Sequence, residues 1–254
     1  MERVVAGLPV VTGPQWTGVN YFCTTRAGGA GVAPHDTLNL GRRAGDDPDT
    51  VTENRRRVRA AVPAEPLWLR QVHGSEVVDA DQPDLPDEPA VDASVTARPG
   101  RVLAVMVADC LPVVISDAQG KVLGAAHAGW RGLSGGVLEH TLAAMRAKAP
   151  QAAGWRAWVG PGIGPEAFEV GQDVLDAFEA DDPAARRYFT ERPGRPGKWL
   201  ADLAGLADFR LRRAGVQEVS LSGMCTVAEQ GRFFSYRRDG ETGRMALIAW
   251  LDPV

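Results

Sequence analysis

The stretch LAVMVADCLPVVISDAQGKVLGAAHAGWRG, Leu103 to Gly132, decides how this chain folds. Its apolar runs, Val102 to Val107, Val113 to Ile115 and Val122 to Ala126, read as buried strands, with Asp117-Ala118-Gln119-Gly120 as the turn between the last two. Asp suits the first turn position because its carboxylate accepts a local backbone bond, and Gly suits the last because it tolerates positive φ. With two central loop residues, Asp117 faces Gly120, and counting outward brings Cys110 opposite His127. That pair falls at a non-hydrogen-bonded position, with roughly 4.5 to 5.5 Å between Cβ atoms. Pro112 falls at another, where its missing N–H removes nothing from the ladder. D-x-x-G also fits a type I turn with a glycine bulge, which would shift the register by one residue and separate Cys110 from His127 unless a second bulge near Pro112 restored it.

A thiolate beside an imidazole can share a metal ion, or it can act as a nucleophile with its base. A third candidate stands upstream in LWLRQVHGSEVV, where His73 ends a short apolar stretch and Gly74 lets the chain turn. His73, Cys110 and His127 would make a His₂Cys set, and three protein ligands with an open fourth position are what a catalytic zinc uses. The gaps between them are long, unlike those of a compact zinc motif.

Around this hairpin the pattern alternates strands with helices. Ser134 suits the cap of a helix carrying Leu138, Leu142 and Met145 and ending before Pro150. A second helix is predicted from about Val170 to Phe178, and LADLAGLADFRLRRAG, Leu200 to Gly215, reads as a third amphipathic helix closed by glycine. AWVGPGIG (Ala157 to Gly164) reads as a strand entering a glycine loop, and VSLSGMCT and RMALIAWL as late strands. Asp79 to Ala93 and Glu191 to Lys198 read as surface loops. Glycine turns at Gly28-Gly29, Gly129 to Gly132 and Gly160 to Gly162 could bring backbone N–H groups to an anion, although such turns are more often structural.

With 254 residues, 44% of them hydrophobic, the chain can bury a large core, and no seam divides it. A net charge of −4 gives no electrostatic footprint for nucleic acid, and the cluster Arg55, Arg56, Arg57 and Arg59 reads as a solvated helix face. The first residues lack the uninterrupted apolar run of a signal peptide, and no run is long enough to span a membrane. Cys23, Cys110 and Cys225 are an odd set in a long chain, which argues for a reducing compartment and, by default, the cytoplasm.

RQVHGSEV, DASVTARPG, ADCLPVVI, GAAHAGWRG, GPGIGPEAFEVG and FFSYRRDGETGR occur here in the order seen in the YfiH-type family, the laccase-domain or polyphenol oxidase family, and TTRAGG, LNLG and GDDP near the N-terminus look like it too. The resemblance runs from about Phe22 to Leu251. It implies one α/β domain over residues 1–254, a four-layer α-β-β-α arrangement similar to a deamidase toxin fold with a Cys-His site. It also implies zinc bound by His73, Cys110 and His127, which would be the catalytic set. The activity implied is phosphorolysis of adenosine, inosine and methylthioadenosine with adenosine deamination beside it, so purine nucleosides and phosphate are the expected partners, with no nucleic acid and no membrane. Copper-dependent phenol oxidation and a hydrolase or editing role on peptidoglycan precursors, with Cys110 as nucleophile and His127 as base, are the alternatives. This chain has Gly162 and Ala167 where many relatives carry cysteines, so Cu²⁺ finds few extra ligands, and oxidase activity ranks below purine chemistry.

Phosphorolysis needs phosphate held beside the ribose C1′, a task suited to arginine's charge and fork. Arg26, Arg70, Arg131 and Arg237 sit next to motif residues. Asn39 and Gln71 could hydrogen-bond the base or ribose or as easily cap a turn, and Trp130 could stack on a purine, although a tryptophan is more often core. Deamination also needs a proton shuttle, for which Asp109 is the nearest acid, with a turn-side surface acid as its plainer reading. His35 and His140 have no partner motif and read as surface residues.

Overall fold

The protein is described by a computed structural model covering residues 1–252. In chain order it forms β1 (Glu2–Val5), β2 (Leu8–Val11), β3 (Val19–Thr24), α1 (Pro48–Ala60), β4 (Val77–Asp79), β5 (Ala93–Thr96), β6 (Val102–Val107), β7 (Leu111–Ser116) and β8 (Leu123–Ala128). There follow α2 (Trp130–Ser134), α3 (Val137–Lys148), β9 (Arg156–Val159), β10 (Glu169–Gly171), α4 (Gln172–Glu179), β11 (Phe189–Glu191), β12 (Lys198–Ala201), α5 (Leu203–Arg213), β13 (Glu218–Leu221), α6 (Tyr236–Asp239) and β14 (Met245–Leu251).

Two large sheets result, one ordered β1-β2-β3-β14-β6 and the other β13-β9-β7-β8-β5-β4, with a small β10-β12-β11 sheet beside them. Their central strands are apolar on both faces, and side-chain alternation sends the two sets to different cores. Leu103, Val105 and Val107 of β6 meet Leu247 and Ala249 of β14, together with Val114, Ala125 and Trp158 of the second sheet, in a core between the sheets. Val102, Ala104, Ala246 and Ile248 point the other way, toward Leu38, Leu40, Trp68 and Val58 of α1. Val113, Ile115, Ala126 and Ala157 point away from the inter-sheet core, onto Leu138, Leu142 and Met145 of α3 and Leu206 of α5. Gly124 allows the closest part of that approach: a Cβ there would stand 2.7 Å from the Met145 sulfur and from Thr141 Cγ2.

The β7–β8 hairpin forms, but with a longer loop than predicted. The register pairs Pro112 with His127 and Leu111 with Ala128, two residues further along β8 than a two-residue turn would give. Asp117 is the cause, since its buried carboxylate accepts from the N–H groups of Gln119, Lys121 and Val122 and so caps a four-residue loop. A shift of two keeps every side chain on its predicted face. Pro112 meets His127 at a position needing no N–H from it: the His127 N–H donates to the Asp92 carbonyl, and the Pro112 carbonyl accepts from Gly160.

Other departures are local. Gly136, not Ser134, precedes α3, because the chain first makes the short α2. The helix predicted from Val170 starts at Gln172, after Glu169–Gly171 pair as a strand. Arg55 is no solvated residue: it is 6% exposed, pairs with Glu88 at 2.9 Å and lies over the Trp68 ring. His35 is buried, with Nε2 2.8 Å from the Ala44 carbonyl, whereas His140 is exposed as expected. Among the described residues no helix is long and apolar enough to cross a membrane.

Candidate metal centre and cleft

Cys110 lies where the chain leaves β6 in one sheet and enters β7 in the other, at the open end of the inter-sheet core. Continuing the ladder one step beyond Leu111 and Ala128 sets Cys110 opposite Gly129 and diagonal to His127. Gly129 is where the cluster needs space: a Cβ there would stand 2.9 Å from the Cys110 sulfur and 3.2 Å from His73 Cδ2. Gly129→Ala is therefore expected to leave the strands intact but drive these groups apart. Metal titration of the purified variant checks this, with affinity expected to fall about tenfold or more.

His73 arrives from a separate segment in a left-handed conformation, φ 60°, that a non-glycine residue adopts only when held. What holds it is Asp92, a residue the motif reading passed over. The Asp92 side chain is fully buried, and its oxygens accept from the backbone N–H groups of Val72, His73 and Gly74 at 3.0, 3.0 and 2.8 Å. One oxygen also lies 2.7 Å from His127 Nδ1. The β5–β8 register supplies that contact, because pairing of Ala93 with Ala126 puts Asp92 opposite His127. One carboxylate thus fixes the turn carrying one histidine and the ring orientation of the other, leaving Nε2 of His127 to face the cluster.

The ligand atoms of His73, Cys110 and His127 all lie within 4.8 Å of one another, and the two imidazoles meet edge to face with centroids 4.9 Å apart. Burial alone would raise the Cys110 thiol pKa, but the charge and hydrogen bond of His127, aided by His73, outweigh it and bring the pKa down. Burial alone would lower that of His127, but the Cys110 thiolate and Asp92 raise it. A thiolate and two imidazoles, one of them backed by a carboxylate, fit a borderline metal such as zinc. Among the described residues this is the one group of three or more His, Cys, Asp or Glu side chains so placed.

The cluster opens into a cleft of about 640 Å³ bordered by Arg42, Arg43, Arg70, Arg131, Arg237 and Arg244, with Asp109 as its one acidic lining residue. Arg131 lies over the Trp130 ring at 4.3 Å. Arg237 turns its guanidinium to the carbonyls of Ala167 and Glu169. Arg244, at the foot of β14, was not singled out from the sequence. Gln71 lines the cleft, but its amide bonds both backbone groups of Met106, so it holds the end of β6.

Arg26 and Asn39 do not reach the cleft. The Arg26 guanidinium binds Asp36 and the Gln230 carbonyl and stacks over Phe234. Asn39 is fully buried and braces Gly41, Asp46 and Arg244. Asp109 is neither a surface acid nor a free shuttle: it is 8% exposed at φ 97°, and its oxygens accept from the Thr226 hydroxyl at 2.6 Å and the Arg237 N–H at 2.7 Å. It fixes the corner that presents Cys110.

Fold and site together define an α/β protein with a thiolate–imidazole cluster at the base of an arginine-lined cleft. The chain belongs to the family described as multi-copper polyphenol oxidoreductase laccase, whose family model matches residues 20–252. It is 46% identical over 243 residues to the Escherichia coli K12 protein named purine nucleoside phosphorylase YfiH, covering 94% of this chain and 97% of that one. It is 45% identical to the Pseudomonas aeruginosa protein named purine nucleoside phosphorylase PA4543, covering 94% and 97%. Among solved structures, Neisseria meningitidis protein NMB0706 superposes with a TM-score of 0.87 at 44% identity, covering 96% of this chain and 98% of that one. YlmD from Geobacillus stearothermophilus gives 0.81 at 29% identity, covering 95% and 94%.

Proposed function

We propose that this protein is a purine nucleoside phosphorylase acting on adenosine, inosine and methylthioadenosine, with adenosine deamination as a second activity at the same site. The observation that carries the reading is the arginine-lined cleft opening directly onto the His73, Cys110 and His127 cluster. Its polarity suits a substrate pair of one neutral nucleoside and one phosphate dianion, and its volume suits molecules of that size. The names carried by the relatives support the same reading.

In this reading His73, Cys110 and His127 hold zinc, which when bound supplies Lewis-acid chemistry to the reacting centre. The chain's own groups do the rest. Asp92 keeps His127 in the tautomer whose Nε2 faces the cluster, and Asp109 fixes the Cys110 corner. The arginines collect phosphate, and Trp130 offers a flat apolar face to the purine. In the reaction, a phosphate oxygen bonds to C1′ as the C1′–N9 electron pair leaves with the base. The proton of hydrogen phosphate passes to that base, giving free purine and ribose 1-phosphate, or 5-methylthioribose 1-phosphate from methylthioadenosine.

A second reading is favoured by one observation. Cys110, His127 and Asp92 form a chain of nucleophile, base and orienting carboxylate with a lowered thiol pKa, as a cysteine hydrolase would use. Incubation with each nucleoside, with and without phosphate, separates the possibilities by product chromatography. Free base that appears only with phosphate is the expected main product, and inosine formed from adenosine without phosphate is the expected minor one. Free base formed equally without phosphate would overturn the phosphorylase reading.

A further inference from the structure

We infer that Arg244 is the residue that grips the phosphate, its Nε/Nη2 edge taking two phosphate oxygens in a bidentate pair. This rests on the phosphorylase reading above and names the residue that would serve it.

Arg244 is built in rather than displayed. It immediately precedes β14, a central strand of the first sheet; its N–H donates to Asn39 Oδ1 at 2.9 Å, and its carbonyl accepts from Leu40. The stem crosses Gly41, where a Cβ would stand 2.7 Å from Arg244 Cγ, so that glycine forms the floor of its groove. Nη1 donates to the carbonyls of Thr242 and Gly243 at 2.7 and 3.0 Å, which fixes the plane of the guanidinium. With that nitrogen committed, the Nε/Nη2 edge is the one free for an anion, and it is the edge whose two parallel N–H groups match a phosphate.

Of the other cleft arginines, Arg42, Arg43 and Arg237 are bonded elsewhere, while the guanidinium groups of Arg131 and Arg70 have no backbone anchor among the described residues such as fixes that of Arg244. Arg42 and Arg43 pair with Glu88, Arg237 is turned to backbone carbonyls, and Arg131 stacks on Trp130. Arg70 is exposed. Among the described residues no carboxylate pairs with Arg244, although its stem is partly buried and Cys110 and Asp109 are among the charges it senses. A partly buried guanidinium without a salt-bridge partner, lining the same cleft as the thiolate–imidazole cluster, is poised for an anionic substrate. Asn39 acquires a role from this: it positions Arg244 instead of touching the nucleoside.

The test separates the two substrates. In steady-state phosphorolysis of inosine, Arg244→Gln should raise the KM for phosphate about tenfold or more while the KM for inosine stays within about twofold, as expected for loss of a bidentate charged pair. Arg244→Lys, which keeps the charge and loses the fork, should fall between. Thermal unfolding gives an independent readout without turnover: inorganic phosphate should raise the Tm of the wild type and leave that of Arg244→Gln unchanged. Wild-type phosphorolysis with an unaltered phosphate KM in both variants, or an equal phosphate-induced Tm shift in Arg244→Gln, would overturn the assignment of Arg244. Absence of ribose 1-phosphate from the wild type would instead overturn the phosphorylase reading itself. A variant that loses both KM values together, or that fails to fold in both forms, would mark Arg244 as structural and also count against the inference.

Discussion

Asp92→Ala is expected to destabilise the protein by about 3 to 5 kcal/mol, the range for removing one partner from a buried charged pair. The carboxylate is the common acceptor for three backbone N–H groups and the His127 ring, and alanine leaves all four without it. Unpaired buried donors carry the full desolvation penalty, which is why the cost exceeds that of an ordinary hydrogen bond. At the few degrees per kcal/mol usual for a chain of this length, the Tm should fall by roughly 10 °C. The same change frees the His73 turn from its left-handed conformation, so metal affinity and turnover should fall further than stability alone explains. Calorimetry with a parallel metal titration checks both. A variant of unchanged Tm and metal content would show that Asp92 organises nothing.

Cys110→Ser is expected to abolish turnover while leaving the fold. The thiolate is the charged member of the His₂Cys set, and a serine hydroxyl of similar volume stays neutral at working pH, so metal retention loses its main electrostatic partner. The core between the sheets does not depend on this side chain, and circular dichroism and Tm should stay close to wild type. Nucleoside turnover should fall by more than the roughly 10- to 100-fold typical of losing an outer-shell partner. Lost turnover with zinc retained would favour the nucleophilic cysteine, and full turnover by metal-free protein would remove the catalytic metal from the account.

Much of this site is legible in the sequence because strand parity survives errors of register. The hairpin slips by two residues when Asp117 caps a longer loop, yet Cys110 and His127 keep their common face, since an even shift preserves alternation. His73 is legible only as a histidine before a glycine turn; what brings it in is a carboxylate 19 residues away in sequence, and no local pattern encodes that distance. Asp92 opens the DASVTARPG motif at the end of a stretch that reads as surface loop, and its burial follows from the pairing of β5 with β8. The polar residues beside the motifs fare differently. Arg26 and Asn39 turn inward to brace the N-terminal segment, because a buried carbonyl or amide needs a partner and theirs are the side chains within reach. Arg244 ends the FFSYRRDGETGR motif and is the arginine whose position follows from a central strand, a fact that only the sheet order reveals.

The most direct measurement is phosphorus-31 NMR of the protein with inosine and inorganic phosphate, with free hypoxanthine followed in the same sample. The expected result is a ribose 1-phosphate signal growing in step with hypoxanthine as the phosphate signal declines. Hypoxanthine released while the phosphate signal holds constant, or no change in either, would contradict the assignment of this cleft to phosphorolysis.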